Sequence, residues 1–85
     1  MNNQEIKPQR NITAIINEKL DKMDKNLNDY LILKLANGED IFVFSSKIKW
    51  FRWSELNNGK RYIFTVEEGN NGTNILIDYQ LRNYG

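Results

Sequence analysis

The chain has 85 residues, a formal net charge of +1, no cysteine and no histidine. This length predicts one domain with one modest core. The missing cysteines and histidines exclude disulfides, thiolate nucleophiles, His-dependent triads and the usual zinc, haem and iron–sulfur sites. Because the net charge is near zero, any electrostatic footprint for nucleic acid or for a membrane must be local.

The N-terminal end is polar. Residues 1–9 contain the single proline, Pro8, and we expect them to form a flexible arm. The chain has no apolar run near the ~18 residues of a membrane span. Its first residues also lack a hydrophobic signal core, which predicts a cytoplasmic protein.

Residues 10–25 fit two patterns. Ile12, Ile15 and Ile16 share one helical face with Leu20 and Met23, so periodicity alone favours a helix. The β-branched stretch from Ile12 to Ile16 equally suits a strand. The arrangement of the later segments favours a strand over residues 10–22, and residues 24–29 read as a polar turn.

A β-hairpin is predicted over residues 30–46, with its turn at Asn37-Gly38. Asn-Gly is typical of a two-residue type I′ turn, because both turn positions need a positive φ. That register places Leu33 opposite Phe42. One face then carries a core set, Leu31, Leu33, Phe42 and Phe44, and the other carries a mixed set, Tyr30, Ile32, Lys34, Ile41, Val43 and Ser45. The mixed face is either a second small core or a flat binding platform.

The second half of the chain predicts two further strands. Residues 47–58 break the alternation and predict a loop with a short helix or a single helical turn. Residues 60–68 alternate with Tyr62, Phe64 and Val66 on one side, and residues 69–73 are rich in turn formers. Residues 74–82 predict the last strand, and residues 83–85 a short C-terminal tail. The apolar side of the last strand is expected to comprise Ile75, Ile77, Tyr79 and Leu81.

Five segments resemble, in spacing, the strand signatures of small OB-fold domains of single-stranded DNA-binding proteins. They are Ile12-Thr-Ala-Ile-Ile16, Tyr30 to Gly38, Ile41-Phe-Val-Phe44, Leu56-x-x-Gly59-Lys-x-Tyr62 and Ile75-Leu-Ile-Asp78. The resemblance implies an all-β, five-stranded OB-fold-like barrel over residues 10–82, with a short helix or loop between strands 3 and 4. The alternative is an α+β fold, in which an N-terminal helix packs on a four-stranded antiparallel sheet.

OB domains bind oligonucleotides or oligosaccharides on strands 2 and 3, beside the loops that join strands 1–2 and 4–5. By this resemblance, the ligand would meet the face of Tyr30, Ile32, Lys34, Ile41 and Val43. The flanking loops would be residues 23–29 and 67–74. A fold does not by itself fix a function, so this expectation rests on analogy.

The segment from Lys47 to Arg61 mixes cations with aromatic rings. Five basic residues stand against one acid, Glu55, for a local charge of +4, and Trp50, Phe51 and Trp53 lie among them. Cations meet phosphates, and rings stack on bases of any sequence. A competing interpretation is that the tryptophans belong to the core and the long cationic side chains cover apolar surface.

The sequence therefore predicts a protein without catalytic residues, metal or cofactor that binds single-stranded nucleic acid, with DNA favoured. Tyr30, Trp50 and Trp53 would stack on bases. The predicted phosphate contacts are Lys34, Lys47, Lys49, Arg52, Lys60 and Arg61. The acid pairs Glu39-Asp40 and Glu67-Glu68 lie at turns, where acids are commonly only solvated. The alternative function is a protein–protein interaction module, or an accessory subunit of a replication or mobile-element enzyme.

Overall fold

The computed structural model describes residues 8–48 and 55–82, which form a closed five-stranded barrel. The strands are β1 (Gln9–Met23), β2 (Asp29–Leu35), β3 (Asp40–Phe44), β4 (Arg61–Glu68) and β5 (Asn74–Leu81). Their order around the barrel is β1-β2-β3-β5-β4, and β4 returns to pair with β1. The pairing of β3 with β5 is parallel and the other pairings are antiparallel. Within the described ranges, no helix is long and apolar enough to cross a bilayer.

The first segment is a strand, so the alternative α+β fold is wrong. The first half of β1 pairs with β4 and the second half pairs with β2, with a register shift between Ile16 and Glu18. An extra residue of this kind bends a strand, which lets one strand serve two neighbours in a barrel. Ile12, Ala14 and Ile16 alternate into the core. The helical spacing seen in the sequence arises because Ile15, on the opposite side of the strand, is apolar as well.

The core lies inside the barrel and receives side chains from all five strands. The connection between β3 and β4 adds Ile48 and Leu56, which are almost completely buried. Tyr62 is also buried, and its hydroxyl donates to the carbonyl oxygen of Glu55 at 2.6 Å and accepts from the N–H of Asn57 at 2.9 Å. The phenol is therefore satisfied inside the core. Each fully buried aliphatic or Phe side chain contributes roughly 1.5–3 kcal/mol.

The β2–β3 turn differs from the predicted two-residue turn. The N–H of Gly38 donates to the carbonyl oxygen of Leu35 at 3.0 Å, and the N–H of Leu35 donates to that of Glu39 at 2.9 Å. Gly38 has φ +92°, whereas Asn37 does not have a positive φ. This is a three-residue loop, Ala36 to Gly38, in which a type I turn is followed by one left-handed residue.

Because the loop is one residue longer than predicted, β3 pairs with β2 in a register shifted by one residue, and its two faces are exchanged. Leu33 lies opposite Ile41, and Ile32 lies opposite Phe42. A one-residue shift moves every side chain of a strand to the other face. The predicted faces of β3 are therefore wrong: Ile41 and Val43 are fully buried, while Phe42 and Phe44 point outward.

Strand β5 also departs from its predicted alternation. Thr65 lies opposite Asp78 and Val66 opposite Leu76, so Ile77 is an extra residue in the ladder. Leu76 is fully buried, and Tyr79 packs against the core from the next inward position. The predicted apolar side of Ile75, Ile77, Tyr79 and Leu81 is wrong because this bulge reverses the alternation in mid-strand.

Candidate nucleic-acid interface

Three aromatic rings form one cluster on the outer side of strands β2 and β3. Tyr30 and Phe44 have ring centroids 5.4 Å apart, and Phe42 lies 6.3 Å from Tyr30 and 6.2 Å from Phe44. The Phe42 ring is inclined by only 19° to Tyr30 and 21° to Phe44. All three side chains are half-buried. We call Tyr30, Phe42 and Phe44 the aromatic cluster.

The cluster belongs to a wider surface, because residues opposite each other on antiparallel strands point to the same side. Across β1, β2 and β3 this gives three parallel rows, which together we call the outer face. The rows are Lys22–Tyr30–Phe44, Leu20–Ile32–Phe42 and Glu18–Lys34–Asp40. The face is thus cationic and aromatic at one end, apolar in the middle, and acidic at the end near the β2–β3 loop.

Several cations around this face are joined to carboxylates. Lys34 Nζ lies 2.9 Å from Asp40 Oδ2, and Lys47 Nζ lies 3.0 Å from Glu67 Oε2. The Glu67 side chain is only 12% exposed, so the second pair is partly shielded from water. The exposed Lys34–Asp40 pair contributes at most about 1 kcal/mol to stability.

A third pair lies where β1 begins. The Arg10 guanidinium donates to the Glu39 carboxylate and also reaches Asn74 Oδ1 at 3.3 Å. The hydrogen bond from Arg10 lowers the pKa of the Glu39 carboxyl below its usual range, and the positive charge of Arg10 adds to this effect. The contact joins β1 to the β2–β3 turn and to the start of β5.

The loop between β1 and β2 flanks the cationic end of the outer face. The Asp24 carboxylate accepts from the backbone N–H groups of Asn26 at 2.8 Å and Asn28 at 2.9 Å. The hydrogen bond from Asn28 is the largest cause of the lowered pKa of Asp24. Leu27 lies at the tip with φ +64°, and the residue is 77% exposed.

The sequence-predicted site residues fall in three places. Tyr30 and Lys34 lie on the outer face, and the backbone N–H of Lys47 donates to the carbonyl oxygen of Phe44 at 3.0 Å, so Lys47 follows the cluster directly. Lys60 and Arg61 lie elsewhere, at the start of β4, where Arg61 is opposite Ile15 of β1. Four predicted site residues are outside the described residues: Lys49, Trp50, Arg52 and Trp53.

The residues that sequence reasoning missed are Phe42, Phe44, Leu20 and Lys22. All four residues 41–44 are apolar, so the sequence alone does not show which alternate pair faces the core. The useful signal was in β2: Leu31, Leu33 and Leu35 form a continuous inward set. With a three-residue loop, that set pairs with Ile41 and Val43 and sends both phenylalanines outward.

No family model matches the chain, and no curated protein matches its sequence. Among solved structures, the chain is similar to Rim1, a mitochondrial single-stranded DNA-binding protein of S. cerevisiae. The match has a TM-score of 0.73 at 19% sequence identity and covers 95% of this chain and 100% of that chain. At this level of identity the likeness concerns the fold. The chain therefore has an all-β OB-fold barrel, the fold that it shares with Rim1.

Proposed function

We propose that the protein binds single-stranded nucleic acid, DNA before RNA, on the outer face, and that it does so without catalysis. The observation that carries the proposal is the aromatic cluster, because three large rings are gathered on the solvent side of the sheet rather than in the core. The fold likeness to Rim1, which is named as a single-stranded DNA-binding protein, supports it.

The rings would act by stacking on bases. Each base–ring stack contributes about 1–3 kcal/mol and accepts any base, because every base presents a π face. Ile32 and Leu20 extend the apolar surface beside Phe42, so a base displaced from a ring still covers apolar side chains. Binding of this kind has little dependence on sequence.

Cations at the Tyr30–Phe44 end would meet the phosphates. Lys22 lies opposite Tyr30 on β1, and Lys47 follows Phe44 on the other side of the cluster, where it would have to leave Glu67 to reach a phosphate. Each phosphate neutralised releases condensed counterions, so affinity falls as salt rises, with a slope of about −0.7 per contact on a logarithmic scale. The predicted contacts of Lys49, Trp50, Arg52 and Trp53 are also part of the proposal, since their segment joins Ile48 to Leu56.

The test is a titration of a fluorescently labelled dT oligomer followed by anisotropy. Phe42→Ala or Phe44→Ala should weaken binding by about 5- to 150-fold, the equivalent of one lost stack. The matched control is Ile63→Ala, a half-buried apolar side chain on the outer side of β4, which should leave affinity unchanged. Equal losses in all three variants, or no binding by the unmodified protein, would refute the proposal.

A second candidate function is a protein–protein interaction module, such as an accessory subunit of a replication or mobile-element enzyme. The tip of the β1–β2 hairpin favours it, because Met23 is 57% exposed and Leu27 is 77% exposed there. Exposed apolar side chains at a loop suit an interface with another protein. Co-purification of a larger partner by a protein that has no affinity for oligonucleotides would select this function.

A further inference from the structure

Lys34 forms an ion pair with one carboxylate and lies opposite a second acidic residue in the sheet. Asp40 on β3 forms an ion pair with it at 2.9 Å, and Glu18 lies directly opposite it on β1. The Lys34 and Asp40 side chains are 43% and 41% exposed, so the pair is open to solvent. The row Glu18–Lys34–Asp40 therefore carries one positive and two negative charges at the edge of the outer face.

The net negative charge of this row disfavours the binding of a phosphate at this end of the outer face. A phosphate that approached Lys34 would meet the Asp40 carboxylate, with the acidic Glu18 on the neighbouring strand, and the ammonium would first have to leave Asp40. Repulsion between two unit charges 4 Å apart amounts to about 1 kcal/mol in bulk water and to more near a protein surface. The opposite row, Lys22–Tyr30–Phe44, offers a cation beside two rings with no carboxylate in the row.

We propose that Asp40, assisted by Glu18, is an affinity-limiting residue of the site. The Asp40 carboxylate competes with phosphate for Lys34. It thereby confines single-stranded nucleic acid to the Lys22–Tyr30–Phe44 end of the outer face. The inference rests on the proposed function and specifies which of its cations are available to the ligand. Lys34, a predicted phosphate contact, becomes a contact only when Asp40 is neutralised.

The competition can be tested without disturbing the fold. The backbone oxygen of Asp40 accepts from Asn74 Nδ2 at 3.1 Å, and this contact does not depend on the Asp40 carboxylate. The ion pair itself is exposed and contributes little to stability. Asp40→Asn should therefore remain folded, which a circular dichroism melt checks.

The experiment is a double-mutant cycle on dT oligomer affinity at several salt concentrations. Asp40→Asn should tighten binding by about fivefold, because the released Lys34 gains the attraction of one phosphate, about 1 kcal/mol at 4 Å in water. It should also steepen the salt slope by about 0.7, because Lys34 then contacts a phosphate. Lys34→Ala should change affinity less than about twofold in the unmodified protein, yet should abolish the whole gain in the Asp40→Asn background.

Asp78→Asn is the matched control, since it removes the same charge from β5, away from the outer face. A gain as large in Asp78→Asn as in Asp40→Asn would reduce the effect to net charge and overturn the inference. Unchanged binding by Asp40→Asn, or a gain that survives Lys34→Ala, would overturn it as well, while the proposed function would stand. If the unmodified protein does not bind the oligomer at all, both proposals fail together.

Discussion

Two residues take up left-handed backbone at equivalent places in two hairpin loops. In the β2–β3 loop the residue is Gly38, and in the β1–β2 loop it is Leu27, with φ +92° and +64°. Both loops have the same hydrogen bonds: Leu27 N–H donates to the Asp24 oxygen and Asp24 N–H to the Asn28 oxygen, each at 3.0 Å. A left-handed L-residue costs roughly 1–2 kcal/mol, and an exposed leucine recovers little of this by burial.

We therefore expect Leu27→Asn to stabilise the protein. Asparagine tolerates the left-handed region, so the free energy of unfolding should rise by about 0.5–1 kcal/mol. Urea denaturation followed by circular dichroism measures it. Lys25→Asn, in the same loop but without a positive φ, is the matched control and should change stability little. A fall in stability for Leu27→Asn would show that the leucine side chain makes a stabilising contact.

Asp24 and Glu39 make the free energy of unfolding depend on pH in the acid range. Hydrogen bonds from Asn28 to Asp24, and from Arg10 to Glu39, lower the pKa of each carboxyl in the folded protein. The unfolded chain then binds protons more readily than the folded chain. The stabilisation is complete above the unfolded pKa values of about 3.9 and 4.3, and it is lost as the pH falls through the lower folded values.

Asp24→Asn should remove part of this pH dependence, because an amide can still accept the loop N–H groups but does not titrate. Denaturation midpoints at pH 7 and pH 3 should differ less for Asp24→Asn than for the unmodified protein. Asp21→Asn, an exposed acid on β1, controls for the loss of one charge. If both variants behave alike, the hydrogen bonds to Asp24 do not cause the effect.

At the scale of the strands, much of the fold could be predicted from the sequence. The alternation of residues 60–68 predicted Tyr62, Phe64 and Val66 on one side of a strand, and this side is the buried one. The five-stranded order and the all-β class follow from such runs and from the turns between them. The placement of Tyr30, Ile32 and Lys34 on the side away from Leu31 and Leu33 is likewise as predicted.

The register of β3 could not be obtained in the same way. Asn-Gly serves a two-residue turn when both residues have a positive φ, and a three-residue loop when only the glycine does. The two turns differ by one residue in pairing, and only packing of the whole barrel decides between them. The β5 bulge at Ile77 is similar, because no glycine or proline marks it in residues 74–82. Because the predicted register was wrong, Phe42 and Phe44 were predicted in the core and not in the candidate site.

The observed register predicts unequal effects for two neighbouring residues. Ile41 is completely buried, so Ile41→Ala should reduce the free energy of unfolding by about 2–5 kcal/mol. Phe42 is half-buried on the outer face, and Phe42→Ala should cost less than half as much despite removing a larger side chain. Chemical denaturation of each variant measures its free energy of unfolding, so the two losses can be compared. A larger loss for Phe42→Ala would support the register with Phe42 in the core.

At the scale of the whole molecule, closing the sheet into a barrel separates two tasks. The inward side of every strand supplies the core, and the outward side of β2 and β3 is left to carry the aromatic cluster. The net charge of +1 gives no general attraction for nucleic acid. Attraction must come from local cations such as Lys22, while the acidic row at the other end of the face limits where a nucleic-acid strand can lie.

The most direct measurement is a titration of the ¹⁵N-labelled protein with a dT oligomer, followed by two-dimensional NMR. The outward register of Phe42 and Phe44 predicts that chemical shifts change most at residues 30–32 and 42–47 and at Lys22. Residues 61–65, on the far strand β4, should change little. Changes centred on β4 instead, or an unchanged spectrum at saturating oligomer, would contradict binding on the outer face.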